Sequence, residues 1–170
     1  MRPSAVYSNQ RVGIFVDVQN LYHSSKNLYH GRVNYPELMK SLVGGRQLIR
    51  AMAYVVKSDT ALGEAAFFDA LEKSGLELRS KDLQIYPDGL KKADWDVGLA
   101  VDAIRMASFL DVVILVTGDG DFLPLVDYLK WGLGRLVEVA AFKRTASSKI
   151  QEATDRFINL EEIPRIILRK

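Results

Sequence analysis

Short unbroken apolar runs alternate with longer stretches in which apolar residues recur every three or four positions, from one end of the chain to the other. The runs VGIFVDV (12–18), LIRAMAYVV (48–56), VVILV (112–116) and RLVEVAAF (135–142) have the length and continuity of buried strands. LELRSKDLQIY (76–86) predicts one more strand, with imperfect alternation. Helical spacing fills the intervals. NLYHSSKNLY follows the first run, and NYPELMKSLV (34–43) opens on Asn34 with Glu37 in capping-box position and stops at Gly44 and Gly45. TALGEAAFFDALEKSG (60–75) is helical and closed by Gly75. In DWDVGLAVDAIRMASF (94–109) the apolar positions at helical spacing are Val97, Ala100, Val101, Ile104 and Ala107 or Ser108. FLPLVDYLKWG (122–132) and SSKIQEATDRFI (147–158) complete the helices, and PDGLKKA (87–93) reads as a turn-rich loop. No repeat or linker interrupts the pattern, so residues 1–170 are expected to form one domain, with 1–10 as a flexible N-terminal arm.

Strand–helix alternation with short connections predicts an α/β fold: a mostly parallel sheet of about five strands with helices on both faces. In such a sheet the C-terminal ends of the strands share one edge, and ligands bind there, where the strand order reverses. The residues that follow the strands therefore matter most. They are Asp17 and Asn20 after the first, Lys57, Ser58 and Asp59 after the second, Thr117, Asp119 and Asp121 after the fourth, and Lys143 and Arg144 after the fifth. Asp96 falls in the first turn of the helix at 94–109, where the helix dipole favours an anion. Two readings compete for these acids. Asp94 and Asp121 are apt helix N-caps, whereas capping does not explain an aspartate inside IFVDV. If strands one and four are neighbours, Asp17 and Asp119 face each other across the sheet edge with Asp121 beside them, and the joint placement of Asp17, Asp96 and Asp119 points to a shared site. Their repulsion, about 4 kcal/mol for two unit charges 4 Å apart near a surface, is relieved by raising a pKa or by binding a hard cation.

Composition narrows the chemistry. The chain has no cysteine, hence no thiol nucleophile and no thiolate zinc site. A cluster of carboxylates without histidine suits Mg²⁺ or Mn²⁺. At a phosphodiester such a site neutralises charge developing on phosphorus and lowers the pKa of a bound water. Asn20 is placed to orient that water or a phosphate oxygen. The net charge of +2 gives no global basic footprint, but residues 1–50 carry seven Lys/Arg against two acids and residues 51–100 six against nine. Lys91, Lys92, Lys143 and Arg144 are candidate contacts for flanking phosphates. Tyr22, Tyr29 and Trp95 are candidates for base stacking or for plain packing, and His23 and His30 for groove or surface positions. MRPSAVYSNQ lacks the apolar core of a signal peptide, and no run approaches the ~18 apolar residues of a membrane span. A soluble, cytoplasmic protein without a membrane partner is expected. GDGDFL lacks the third glycine of a dinucleotide fingerprint and aims carboxylates where a pyrophosphate would lie, although Glu138 sits near the place of a ribose-binding acid. An EF-hand fails at Lys130, where glutamate is required.

With these residues in view, the sequence resembles a LabA-like NYN domain, a branch of the PIN-like nuclease superfamily. FVDVQN carries Asp17 and Asn20, DVGLAVDA carries Asp96, and TGDGDF carries Asp119 and Asp121, in the family's order. The resemblance implies a three-layer α/β/α sandwich, an acidic pocket for Mg²⁺ or Mn²⁺, and ribonuclease activity on RNA. Members often have a Lys-Gly pair before the central-helix aspartate. Here the segment is KKADWD, so Lys92 takes the lysine's work from a shifted position, and Asp94 is either a second acid or a cap. The alternative reading is a non-catalytic module that keeps the pocket and binds RNA or a protein. Pairing of two copies as a homodimer is left open.

Overall fold

The computed structural model describes residues 6–57, 63–88, 91–92 and 94–169, the side chains of Gln84, Ile85, Lys91 and Lys92 excepted. Its frame is a parallel sheet of β1 (Arg11–Asp17), β2 (Gln47–Lys57), β3 (Glu77–Asp82), β4 (Val112–Val116), β5 (Leu136–Ala141) and β6 (Arg156–Asn159). Every neighbouring pair is parallel, in the order β3-β2-β1-β4-β5-β6. The first three strands are thus laid down in one direction from β1, and the last three in the other. The reversal falls between β1 and β4, where Val16 is level with Val116.

Helices cover both faces. α1 (Val18–Tyr29), α2 (Tyr35–Val43) and α3 (Glu64–Lys73) share one core with Val12, Ile14 and Val16, into which Leu21, Leu38, Leu42 and Leu71 are fully buried. α4 (Asp96–Met106), α5 (Leu123–Asp127, continued by a π-helical turn to Gly132) and α6 (Ser148–Ala153) pack on the other face around Phe15, Tyr54, Leu115 and Val139. Alternate residues of β1 enter opposite cores, as the pleat requires. This is a three-layer α/β/α sandwich. Arg32–Val33 and Ile167–Leu168 form a small antiparallel pair beside it.

Several expectations need correction. The sheet gains a sixth strand, because the helix expected to run to 158 ends at Ala153 and RFIN joins the sheet edge beside β5. The loop expected at 87–93 includes Lys91–Lys92, paired antiparallel with Gln84–Ile85 as a short hairpin. α4 buries Leu99, Asp102 and Ala103, while Val97 is 76% exposed and Val101 and Ile104 also face solvent. Of the stripe read from spacing, Val97, Val101 and Ile104 thus lie on the outer face, while Ala100 packs against the core and Ala107 is buried in it. Asp102 turns inward because it is neutralised: the Arg79 guanidinium reaches it at 2.6 Å and the Tyr54 hydroxyl donates to it at 2.8 Å. Asn34 caps α2 as expected, accepting from the Glu37 amide, but the Glu37 carboxylate pairs with Arg165 rather than closing a capping box. Of the expected third helix, residues 60–62 lie outside the described residues, as do Ser58, Asp59 and residues 1–5. Gln10, inside the arm expected at 1–10, is buried, and its side chain accepts from the Tyr7 amide and Arg46. Among the described residues no helix is long and apolar enough to cross a membrane.

Candidate functional site

The C-terminal edge of the sheet at the β1/β4 reversal collects the acids. Asp17 ends β1 and caps α1, its Oδ1 accepting from the Asn20 amide at 3.2 Å. Its Oδ2 accepts from the Thr117 hydroxyl at 3.1 Å, across the strand pair. The same Thr117 oxygen accepts from the Asp119 amide at 3.2 Å. Asn20 ties the two segments once more, its Oδ1 accepting from the Gly118 amide at 2.9 Å. One fully buried hydroxyl and one side-chain amide thus clamp the end of β1 to the loop after β4.

That loop then turns into a helix. Asp119, not Asp121, supplies the cap, accepting from the Asp121 amide at 2.9 Å at the start of a short 3₁₀ turn, Gly120–Phe122. Two glycines make the turn feasible. A Cβ on Gly118 would lie 3.0 Å from the Ala146 backbone, and one on Gly120 would lie 2.8 Å from the Ser147 hydroxyl. The Ser147 amide donates to the Gly118 carbonyl at 2.9 Å, so the loop after β5 is seated directly on the loop after β4.

Asp96 arrives from a third segment, the first turn of α4. Oxygens of Asp96, Asp119 and Asp121 all lie within 4.8 Å of one another. No ion pair engages these three among the described residues. Asp96 is consequently hard to ionise: partial burial and then the charges of Asp119, Asp17, Asp94 and Asp121 push its pKa from 3.8 to about 6. Burial also raises the Asp17 pKa, against the two hydrogen bonds that lower it, with Asp119 and Asp94 adding to the rise. Asp17 is therefore electrostatically part of the cluster, although the three-carboxylate convergence is formed by the others. Asp94 stands beside them with its Oδ1 accepting from the Asp96 amide at 3.3 Å, a local turn at the start of α4.

The expected phosphate contacts divide. Lys143 and Arg144 lie in the 3₁₀ turn after β5, at the same edge and exposed. Arg144 is already held by Glu161 at 3.0 Å and donates to the Tyr29 hydroxyl at 3.1 Å. The side chains of Lys91 and Lys92 lie outside the described residues. Trp95 is a packing residue in part: its indole N–H donates to the Val55 carbonyl at 2.8 Å, while Arg79 and Lys81 lie over its ring. Glu138 is no ribose ligand, being sealed in a bidentate pair with Arg46. In the sequence Thr117 is only one more residue after a strand. Its role as the clamp depends on the pairing of β1 with β4, which no local pattern reveals.

The donor chemistry fits a hard divalent cation. All donors are carboxylate oxygens, they lie within 4.8 Å of one another, and no lysine or arginine among the described residues forms an ion pair with them. The pattern of the NYN domain family matches residues 11–161. The chain is similar to LabA, the low amplitude and bright protein of Synechococcus elongatus, with 25% identity over 166 residues that cover 92% of this chain and 87% of that one. It is also similar to a protein of unknown function from Vibrio parahaemolyticus whose crystal structure superposes with a TM-score of 0.87 at 30% identity, over 97% of this chain and 100% of the other. Fold, motif order and relatives lead to one assignment: the chain belongs to the NYN domain family, as a LabA-like member.

Proposed function

We propose that the chain is a divalent-metal-dependent ribonuclease that hydrolyses RNA phosphodiester bonds at the acidic edge of its sheet. The observation that carries this reading is the meeting of Asp96, Asp119 and Asp121 within 4.8 Å, without a compensating cation among the described residues. In this reading these three hold Mg²⁺ or Mn²⁺, and Asp17 is the fourth carboxylate behind them. A bound divalent cation supplies charge neutralisation at the phosphoryl group and a more acidic bound water.

The chain's own residues provide the positioning. Thr117 holds Asp17 and the Asp119 amide in one arrangement, so the acids at the ends of β1 and β4 keep a fixed relation. Asn20 uses its carbonyl oxygen to fasten the Gly118 amide, and its amide nitrogen is the group that meets a phosphate oxygen. Lys91, Lys92, Lys143 and Arg144 hold the phosphates on either side. Family membership supports a nuclease-type domain.

The test is cleavage of single-stranded RNA with Mn²⁺ or Mg²⁺, with and without chelator, by the wild type and by Asp17→Asn and Asp96→Asn. Cleavage that needs the metal and is lost in both variants is the expected result, and equal rates in wild type and variants would overturn the assignment. A wild type that binds RNA and Mn²⁺ yet cuts nothing would make the chain a binding module that has kept the pocket.

A further inference from the structure

Two adjoining hollows lie along α1, the helix that starts directly after Asp17. The nearer, about 520 Å³, is lined by Val18 and Gln19, which directly follow Asp17, and reaches Tyr22 and Arg32. The farther, about 640 Å³, begins at the same Tyr22 and Arg32 and extends past Lys26, Tyr29 and His30 to Arg169. Gln19, Tyr22, Lys26 and Tyr29 recur at three- and four-residue spacing and so share one face of α1. From residue 19 to residue 29 that face runs roughly 15 Å at ~1.5 Å per residue.

The lining has a distinct chemistry. None of the residues around the farther hollow is acidic, and three are permanent cations, Lys26, Arg32 and Arg169. Glu64 is the acid on the rim of the nearer one. The aromatic rings are interleaved with the charges: Lys26 lies 5.7 Å from the Tyr22 ring centre and Arg144 5.4 Å from that of Tyr29. Tyr22 is about half exposed, so its ring surface is open to a ligand. Cations that neutralise phosphates, alternating with rings that stack on bases, make a surface suited to a single-stranded nucleic acid.

We infer that the RNA strand leaves the acidic edge along the outer face of α1, stacking on Tyr22 and setting its phosphates against Lys26, Arg32 and Arg169. This rests on the reading of RNA as substrate. Lys26 and Arg32 are two of the seven Lys/Arg that make residues 1–50 basic.

Fluorescence anisotropy with a short labelled single-stranded RNA in chelator measures binding without cleavage. Tyr22→Ala and the double variant Lys26→Ala/Arg169→Ala are each expected to weaken binding about tenfold or more. The double variant should also flatten the salt dependence, with the log–log slope falling by about 0.7 for each phosphate left without its cation. Lys73, at the end of α3 and paired with Asp69, lines neither hollow, so Lys73→Ala should leave binding unchanged. A duplex RNA of equal length should bind less well, because its bases are already stacked on one another. Wild-type affinity in Tyr22→Ala and the double variant would overturn the track while leaving the ribonuclease reading intact, and so would an equal effect of Lys73→Ala. Equal affinity for duplex would overturn the stacking at Tyr22. Loss of binding in the groove variants, with a wild type that never cuts RNA, would uphold the track and sink the hydrolytic reading instead.

Discussion

Acidic side chains sit at both ends of the same sheet, and the two ends treat them in opposite ways. Toward the N-terminal edge, Glu138 on β5 is gripped by Arg46 at 2.8 and 2.9 Å and approached by Arg156 at 3.4 Å; the Arg46 and Glu138 side chains are each only 1% exposed. At the C-terminal edge, Asp96, Asp119 and Asp121 crowd together beside Asp17 and Asp94, with no ion pair among the described residues to neutralise them. A buried charge persists when it is paired. A crowded set of unpaired ones persists when something else supplies the missing positive charge. The first arrangement is neutralised within the fold, and the second, on the proposed reading, keeps a place for a cation at a cost in stability.

This contrast can be broken from either side. The largest effect is expected from Glu138→Ala, which strands Arg46 in the interior and should cost about 3–5 kcal/mol, read as a drop in the denaturant midpoint. A loss under about 1 kcal/mol would show that the pair is not the structural element described. Next, Mn²⁺ at a hundredfold excess over its dissociation constant should stabilise the wild type by about 2.7 kcal/mol in thermal or chemical unfolding. Asp119→Asn should forfeit most of that gain, and Glu138→Ala should retain it. The third effect is on pH. Asp96 holds its proton up to about pH 6 and must release it to take a cation. Metal affinity measured by calorimetry should therefore fall about tenfold for each pH unit below 6 and level off above it. A flat profile between pH 5 and 7 would contradict the crowding.

The smallest effect sharpens the comparison most, because its sign is reversed. Without metal, the Asp96 carboxyl keeps its proton to higher pH in the folded chain than in the unfolded one, where it titrates near 3.8. The folded state then holds the extra proton between about pH 4 and 6, so stability declines as pH rises through that window. Asp96→Asn should remove the decline and stabilise the metal-free protein by about 1 kcal/mol at neutral pH, after allowing for solvent screening of this half-exposed group. Removing an acid would thus help the fold at one end of the sheet and damage it at the other.

Much of the architecture is legible in the sequence because the central strands are buried on both faces. VGIFVDV and VVILV read as strands from unbroken apolar runs, and the residues after them locate the site. β6 escapes because RFIN is an edge strand with four half-exposed residues, too short and too polar to separate from a helix end. The buried face of α4 is hidden for an electrostatic reason. Asp102 enters the core only because Arg79, on a distant strand, and Tyr54 are waiting for it. A pattern of apolar positions carries no trace of such a partner. The site shows the same division. Asp17, Asp96, Asp119 and Asp121 are individually visible, but the role of Asp119 as cap, the clamp at Thr117 and the engagement of Arg144 by Glu161 depend on neighbours that spacing alone does not bring together.

The clamp has a consequence for the life of the molecule. Asp17 and Thr117 are separated by 100 positions, yet one hydroxyl joins them. A chain still emerging from the ribosome, short of its fourth strand, carries Asp17 and Asp96 but lacks Asp119 and Asp121 to complete the cluster. On the proposed reading such a chain is harmless to the message being translated, and destructive capacity arises only when the two halves of the sheet have closed on each other.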